Sequence, residues 1–599
     1  MEDKPNVFDP PAWATKAIWY QIFVERFRNG DNANNPTIAN IQYATVDEVP
    51  KDWSLTEWGH NWYEKESWAN KMPLDFYRTV QFRRYGGDLV GVLDKLPYLK
   101  FLGITAVYFN PLNLSPSMHK YDATCYHHID VHFGPDPESD LLLIKNESPS
   151  DPNTWVWTSA DKLFLNVVKQ LHEANIKVIM DFSWNHTGHT FWAFLDLKEK
   201  LTNSNYVSWY ENVQFFTKGE KQTFTYGSWN GITTLPELKK VKTPGNEKNS
   251  ETSVNLHPEV KSHIFEVCRR WMDPYNDGSI TNGVDGFRLD VAELVPLSFW
   301  KELRIFTKKI NSDFFLVGEN WWEEWPDKLL DPRPWLEGDV FDSVMHYHWF
   351  QVARSFFGDS EDNINLTQFI VSTQSLFKGI KKKNCQALMN LTASHDSPRL
   401  LTSLQNKNKY KYHCKPQEDA MYLTFYPDDL VYKRSILLLI HQFTFLGAPH
   451  IWNGDEMGMI GADDPDNRKP LIWPDIHFDD ESNSSFSNYT YTLQPTFDAH
   501  LFKIFRDLIK LRKKYSCLSQ GDCVFVTEYL ESSPLLMYTR SIENQSLIIC
   551  INPTDTPQKL PFLLHQKRSI YQFGISDSFV DILPPHAAFV KFIEPLKTN

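Results

Sequence analysis

The sequence predicts an α/β fold: a (β/α)8 TIM barrel, a subdomain inserted after its third strand, and a C-terminal antiparallel β-sandwich. Three observations predict it. Eight short apolar runs rich in β-branched and aromatic residues recur at 17–24, 104–109, 177–180, 284–289, 314–317, 340–344, 387–391 and 448–452. Helix-period segments, such as 89–102 (LVGVLDKLPYLKFL) and 161–173 (DKLFLNVVKQLHE), lie between most of them. Beyond the eighth run the pattern changes to short strands with turn residues.

In chain order, the runs are apolar at successive rather than alternate positions, which is the mark of strands covered on both faces by helices. Eight such alternations close a parallel sheet on itself, here over residues 1–186 and 255–514. Residues 187–254 are too many for a strand-to-helix loop and too rich in Trp, Tyr and Phe to stay solvated, so they read as an inserted subdomain. Residues 435–452 lack Asp, Glu, Lys and Arg and are long enough to raise the question of a membrane span. His441-Gln442 at their centre and the break at Gly447-Ala448-Pro449 predict instead a buried helix followed by a buried strand. The polar stretch 466–494 reads as a surface loop. Residues 500–513 (HLFKIFRDLIKLRK) predict an amphipathic helix. The runs 535–540, 546–551 and 588–593 predict strands of a sandwich over 515–599.

Composition narrows the function. With 599 residues, 42% apolar and 15% aromatic, the chain is neither disordered, collagen-like nor a small disulfide-stapled scaffold. Sixty-one Lys and Arg against 75 Asp and Glu, without a basic block, repel phosphate backbones, so no nucleic-acid partner is expected. Seven scattered cysteines with no CxxC pair suggest neither a zinc ribbon nor a disulfide framework, and favour a reducing compartment. The opening MEDKP has no basic n-region or apolar h-region, so a cytoplasmic setting without a membrane partner is expected. The oligomeric state is not legible.

In a barrel the chemistry sits where the C-terminal strand ends meet the following loops. Four runs deliver an acid there: Asp181 after KVIM, Asp290 after GVDGFRL, Glu319 after FFLVG and Asp396 after LMNLTASH. One such acid could merely cap a helix. Four, accompanied by His186, Arg288 and His395, point to chemistry. Glycoside hydrolysis needs one ionised and one protonated carboxyl. Arg288 is expected to keep Asp290 ionised, and the apolar frame of Glu319 to raise its pKa. A metal-dependent hydrolase on the same fold would want paired His ligands at the first strand, and WYQIF supplies none. Asn29, Asp31, Asn34 and Asn35 in RNGDNANNP, with GGD at 86–88, offer either oxygen ligands for Ca²⁺ or an ordinary Asn/Asp turn.

The segments DFSWNH (181–186), GFRLDVAEL (286–294), LVGEN (316–320) and SHD (394–396) resemble, in order and spacing, the four signature regions of the α-amylase superfamily, glycoside hydrolase family thirteen. WYQIFVERF, HKYD (119–122), LPEL (235–238) and GAPHIWNGDEMGM (447–459) agree, so the resemblance spans roughly 15–475. It implies a retaining α-glucan hydrolase acting on α-1,4 and in some members α-1,6 bonds of starch-like polymers, maltooligosaccharides or cyclodextrins. By resemblance Asp290 is the nucleophile, Glu319 the general acid/base and Asp396 the transition-state stabiliser. Tyr121, Asp181, His186, Arg288 and His395 line the same sugar subsite. DDPDNRKPLIW (463–473) looks most like cyclomaltodextrinases, neopullulanases and maltogenic amylases, with Asp464 and Arg468 on donor-side sugars. Val291 after the nucleophile is similar to members that accept α-1,6 bonds. Glu293-Leu294 matches neither the Lys-His of many α-amylases nor the Asn-Glu of the neopullulanase group. The resemblance further implies a structural calcium held by Asn29, Asp31, Asn34, Asn35, Gly86 and Asp88, and no second calcium at Asn185. Two alternatives stand beside hydrolysis: a transglycosylase using the same residues, and a non-catalytic carbohydrate-binding relative, disfavoured because all three acids are present.

Overall fold

The computed structural model describes residues 8–41, 49–219, 221–242, 254–326, 328–358, 363–407, 411, 413–482, 488–489, 491–530, 533–561, 569–575 and 581–593. The eight apolar runs form the parallel strands β1 (Trp19–Ile22), β2 (Ala106–Phe109), β3 (Lys177–Phe182), β4 (Gly286–Leu289), β5 (Phe315–Gly318), β6 (Ser343–Val344), β7 (Met389–Leu391) and β8 (Ala448–Trp452). Hydrogen bonding orders them β6-β5-β4-β3-β2-β1-β8-β7. A parallel bridge between Met345 and Met389 joins β6 to β7 and closes the barrel. Apart from Lys177 at the start of β3, every strand residue is buried, because side chains facing inward fill the barrel while those facing outward meet the helices. The inner cluster includes Trp19, Tyr108, Ile179, Phe315, Met345 and Met389.

The surrounding helices follow their apolar stripes. Ser159–Glu173 buries Phe164, Val167, Val168 and Leu171, and starts from a capping box between Thr158 and Asp161. Two departures from simple alternation have chemical causes. The expected helix at 89–102 is two helices, Leu89–Asp94 and Leu96–Leu102, because Pro97 lacks an N–H and its ring opposes the carbonyl of Leu93. Between β5 and β6 no α-helix forms among the described residues. A short hairpin, Trp322–Glu324 with Lys328–Leu329, takes its place in a stretch punctuated by Pro326, Pro332 and Pro334.

The uncharged segment is the helix Asp429–Thr444 followed by β8, with Gly447 (φ 105°) making the turn between them. No helix among the described residues is long and apolar enough to cross a membrane. Between β3 and β4, a helix (Trp192–Lys200), a hairpin (Gln214–Lys218 with Lys221–Thr225) and a strand Lys240–Lys242 paired with Val254–Leu256 stand above the barrel. The polar stretch after β8 is not a surface loop throughout. Asp466, Asn467, Arg468 and Lys469 are buried, and Asp466 accepts hydrogen bonds from Trp62 (2.8 Å), Tyr63 (3.3 Å) and Tyr77 (3.4 Å).

The C-terminal strands β9 (Asp522–Phe525), β10 (Leu536–Ile542), β11 (Gln545–Asn552), β12 (Ser569–Phe573) and β13 (Ala587–Ile593) form an antiparallel sheet of order β9-β10-β11-β13-β12. One face, with Leu536, Tyr538, Ile549 and Val590, merges with the barrel core. The other, with Met537, Ile548, Cys550 and Phe589, packs under a two-stranded ladder, Gln558–Lys559 with Ile582–Leu583. All seven cysteines are free thiols.

Candidate active site

Strand register assembles the site. Asp181 on β3 pairs with Arg288 on β4, which pairs with Val317 on β5. The loops then lace the strand ends together: Asp290 N–H donates to Phe182 O (3.0 Å) and Glu319 N–H to Leu289 O (2.9 Å). The acids therefore leave adjacent strands at one level. Arg288, fully buried, reaches three of them: its Nη1 donates to Asp290 Oδ1 (2.6 Å) and Asp181 Oδ1 (3.0 Å), and its Nη2 pairs with Glu319 Oε1 (2.7 Å). A guanidinium fork suits this role because its donors diverge in a fixed plane.

The remaining predicted residues meet the same cluster. Tyr121 OH donates to Asp181 Oδ2 (2.8 Å), bonds His395 Nε2 (2.6 Å) and stacks on the His395 ring (5.6 Å, 14°). His395 Nε2 also pairs with Asp396 Oδ2 (2.8 Å). Asp396 Oδ1 receives Arg468 Nη2 (2.7 Å), whose Nη1 pairs with Asp464 (3.0 Å). Thus Arg468 and Asp464 are tied to Asp396 itself. His186 stacks against Trp229 (5.5 Å, 27°) at the edge of the mouth.

Several groups that sequence reasoning missed complete the site. Tyr108 OH donates to Asp181 Oδ2 (2.7 Å), and Gln21 Nε2 to His395 Nδ1 (2.8 Å). Both are polar residues inside otherwise apolar strands, a signal that was available. Lys411 Nζ bonds the Asp396 carbonyl and Asp463 Oδ1 (2.7 Å), and lies over the Trp321 ring (5.4 Å). Trp321 stacks on Tyr347 (3.8 Å, 3°), whose hydroxyl reaches Glu319 (3.4 Å). Trp184, by contrast, is wholly buried against Phe182 and Tyr126. Val291 holds a left-handed backbone (φ 37°, ψ 48°), costly for a β-branched residue, and its N–H donates to Glu319 Oε2 (3.1 Å).

The acids differ in proton affinity. Burial pushes Glu319 up to about 7, with Arg288 opposing and Asp290 and Asp396 adding to the rise. Asp290 is not held below its ordinary value by Arg288, as the sequence had suggested. Burial outweighs the guanidinium, which three acids share, and raises Asp290 to about 6. Asp181 rises to about 6 for the same reason. Burial also opposes ionisation of Asp396, but His395, Arg468 and Lys411 outweigh it and hold that carboxyl well below the usual range. One strongly ionised acid, one intermediate and one inclined to keep its proton share a single dry mouth.

Comparison with known proteins agrees. The family model described as alpha amylase, catalytic domain, matches residues 21–148 and 159–521. The chain belongs to the α-amylase family. Neopullulanase 2 of Thermoactinomyces vulgaris is 31% identical over 549 residues, 92% of this chain and 71% of that protein. A cyclomaltodextrinase of Geobacillus thermopakistaniensis is 29% identical over 93% of this chain and 72% of its own. Among solved structures, the cyclic alpha-maltosyl-(1→6)-maltose hydrolase of Arthrobacter globiformis shares the fold (TM-score 0.65, 22% identity, 98% of this chain and all of that one). The protein is therefore an α-amylase-type glycoside hydrolase.

At the Asn-rich loop, Asn29 Oδ1 and Asn34 Oδ1 are buried without partners. Gly86 (φ 75°) leaves a cradle where a Cβ would collide with Asn35 Oδ1 and Asn29 Nδ2. These features fit an oxygen-ligated ion. Asp88 does not share that role as folded: its oxygens accept from Gly30, Asp31 and Gly91 N–H groups and from Asn34 Nδ2, capping the helix Leu89–Asp94. At Asn185, Lys240 Nζ donates to Oδ1 (2.8 Å), so an ammonium already meets that oxygen.

Proposed function

We propose that the protein cleaves α-1,4-glucosidic bonds, and α-1,6 bonds beside them, in maltooligosaccharides, cyclodextrins and starch-like polymers by retaining double displacement. Asp290 Oδ attacks the anomeric carbon while Glu319 gives its proton to the departing glycosidic oxygen, and the C–O bond breaks. A β-glycosyl ester of Asp290 results. Glu319, now ionised, takes a proton from water, whose oxygen attacks the same carbon and releases Asp290 with an α-configured product. Asp396 stays anionic beside the ring that gains positive charge. Tyr121, Asp181, His186 and His395 hold the sugar, and Asp464 and Arg468 border its donor side.

The observation that carries this reading is Arg288 bridging Asp290 and Glu319 while burial keeps Glu319 the weaker acid (about 7 against about 6). That ordering gives a nucleophile and a proton donor at the same pH. Relatives named neopullulanase and cyclomaltodextrinase support the substrate class. Calcium at the Asn-rich loop would be held by Asn29, Asp31, Asn34, Asn35 and the Gly86 carbonyl, and would brace the loop rather than take part in chemistry. Free thiols and relatives named intracellular maltogenic amylase favour a cytoplasmic setting. Product analysis on starch, pullulan, a cyclodextrin and maltotriose tests the reading. Maltose or panose released by the wild type and absent with Asp290→Asn is expected. Ladders of longer sugars from maltotriose would indicate transfer, and equal turnover by the variant would overturn the assignment.

A further inference from the structure

Away from the mouth, the loop after β2 carries two adjacent histidines, His127 and His128, which normally would point to different sides of an extended chain. Here their rings lie side by side, 4.5 Å apart. Both Nε2 atoms converge on one oxygen, Glu147 Oε1, at 2.7 Å and 3.0 Å. The three ligating atoms lie within 4.8 Å of one another, and the side chains are 0–1% exposed. Glu147 comes from the segment that begins with the helix Pro137–Lys145 and ends at Trp157. The family model passes over residues 149–158 within it, so this part of the cluster is particular to the chain.

We propose that His127, His128 and Glu147 form a site for a divalent transition metal of the zinc class, which pins residues 137–157 to the barrel. Two imidazoles and one carboxylate are a ligand set suited to zinc, with one position left for water. Zinc bonds of about 2.0–2.1 Å at tetrahedral angles place ligand atoms about 3.3 Å apart. Opening the two contacts by about 0.3–0.6 Å, through rotation of one carboxylate, admits the ion.

The outer contacts are those a metal site uses. His128 Nδ1 bonds Asp161 Oδ2 (2.7 Å), leaving Nε2 to face Glu147. Asp161 is fixed by Ile129 N–H (2.8 Å), Thr158 N–H (3.1 Å) and Arg270 Nη2 (3.0 Å). Glu147 Oε2 accepts Val156 N–H (3.1 Å), which holds Oε1 toward the histidines. Trp155 stacks flat on His127 (4.2 Å, 9°) and fixes its plane. The site adjoins the mouth through Tyr126, whose hydroxyl donates to the carbonyls of Ser183 (3.0 Å) and His186 (2.7 Å).

The test uses the full chain expressed in zinc-supplemented medium, with metal content measured by mass spectrometry. Zn²⁺ alone is then titrated into chelator-treated protein against a chromogenic competitor. One tightly held zinc per chain is expected. Asp161→Asn should weaken it about 10–100-fold, and Glu147→Gln by more. Cobalt in the wild type should give a spectrum of nitrogen and oxygen ligation without a thiolate charge-transfer band, a reading that needs no variant. Wild-type protein that holds no zinc, a thiolate band, or folded Glu147→Gln with undiminished affinity would each overturn the site and leave a buried imidazole–carboxylate clamp.

Discussion

Arg288→Lys exposes the logic of the mouth. The substitution keeps a positive charge but replaces a planar fork by one ammonium, which cannot sit against Asp290 and Glu319 together. Nη1 serves Asp181 and Asp290, whereas Nη2 serves Glu319. The ammonium will stay with the two aspartates, and Glu319 will lose its partner. A hydrogen bond to a charged group contributes about 1.5–3 kcal/mol, and one pKa unit corresponds to about 1.4 kcal/mol. The carboxyl of Glu319, already at about 7, therefore climbs by about one to two units. The assay is kcat/KM on maltotriose across pH 4.5 to 10, with circular dichroism to verify folding. The alkaline limb should move to about pH 8–9 while the acid limb stays near 6. An unmoved alkaline limb, or a shift of the acid limb alone, would refute the assignment of the two contacts.

For the wild type, activity should rise with pH through about 6, as Asp290 ionises, and fall through about 7, as Glu319 loses its proton; a profile with one limb only would contradict the pairing. Val291→Gly relieves a left-handed β-branched residue, a strain of about 1–3 kcal/mol, so thermal unfolding should occur no lower than in the wild type. Its kcat should fall at least severalfold because the N–H holding Glu319 is then on a freer backbone. Removing calcium with a chelator should lower Tm by several degrees, with recovery on adding Ca²⁺ but not Mg²⁺; Asn34→Ala should abolish that response.

Much of this arrangement was legible because period and position determine it. Apolar runs at successive positions identified the eight strands, and an acid after a run identified the mouth. The energetics were less legible. Arg288 two residues before Asp290 read as a private partner, yet the register of β3, β4 and β5 makes one guanidinium serve three carboxyls. Burial therefore decides the Asp290 pKa, and burial depends on the whole barrel. Tyr108 and Gln21 could have been found as polar residues within buried strands. Lys411 could not, because residues 406–428 have no period from which to infer what they approach. The loop at 466–473 read as surface because it is polar; three aromatic hydroxyl and indole donors satisfy Asp466 and make its burial tolerable.

The roles of Asp290 and Glu319 meet directly in one experiment. Glu319→Gln is incubated with α-maltosyl fluoride, whose leaving group needs no proton, so the first step proceeds while water can no longer be activated in the second. Mass spectrometry of the digested protein should find one maltosyl group on the peptide containing Asp290. No adduct at all, or an adduct on another residue, would contradict the account.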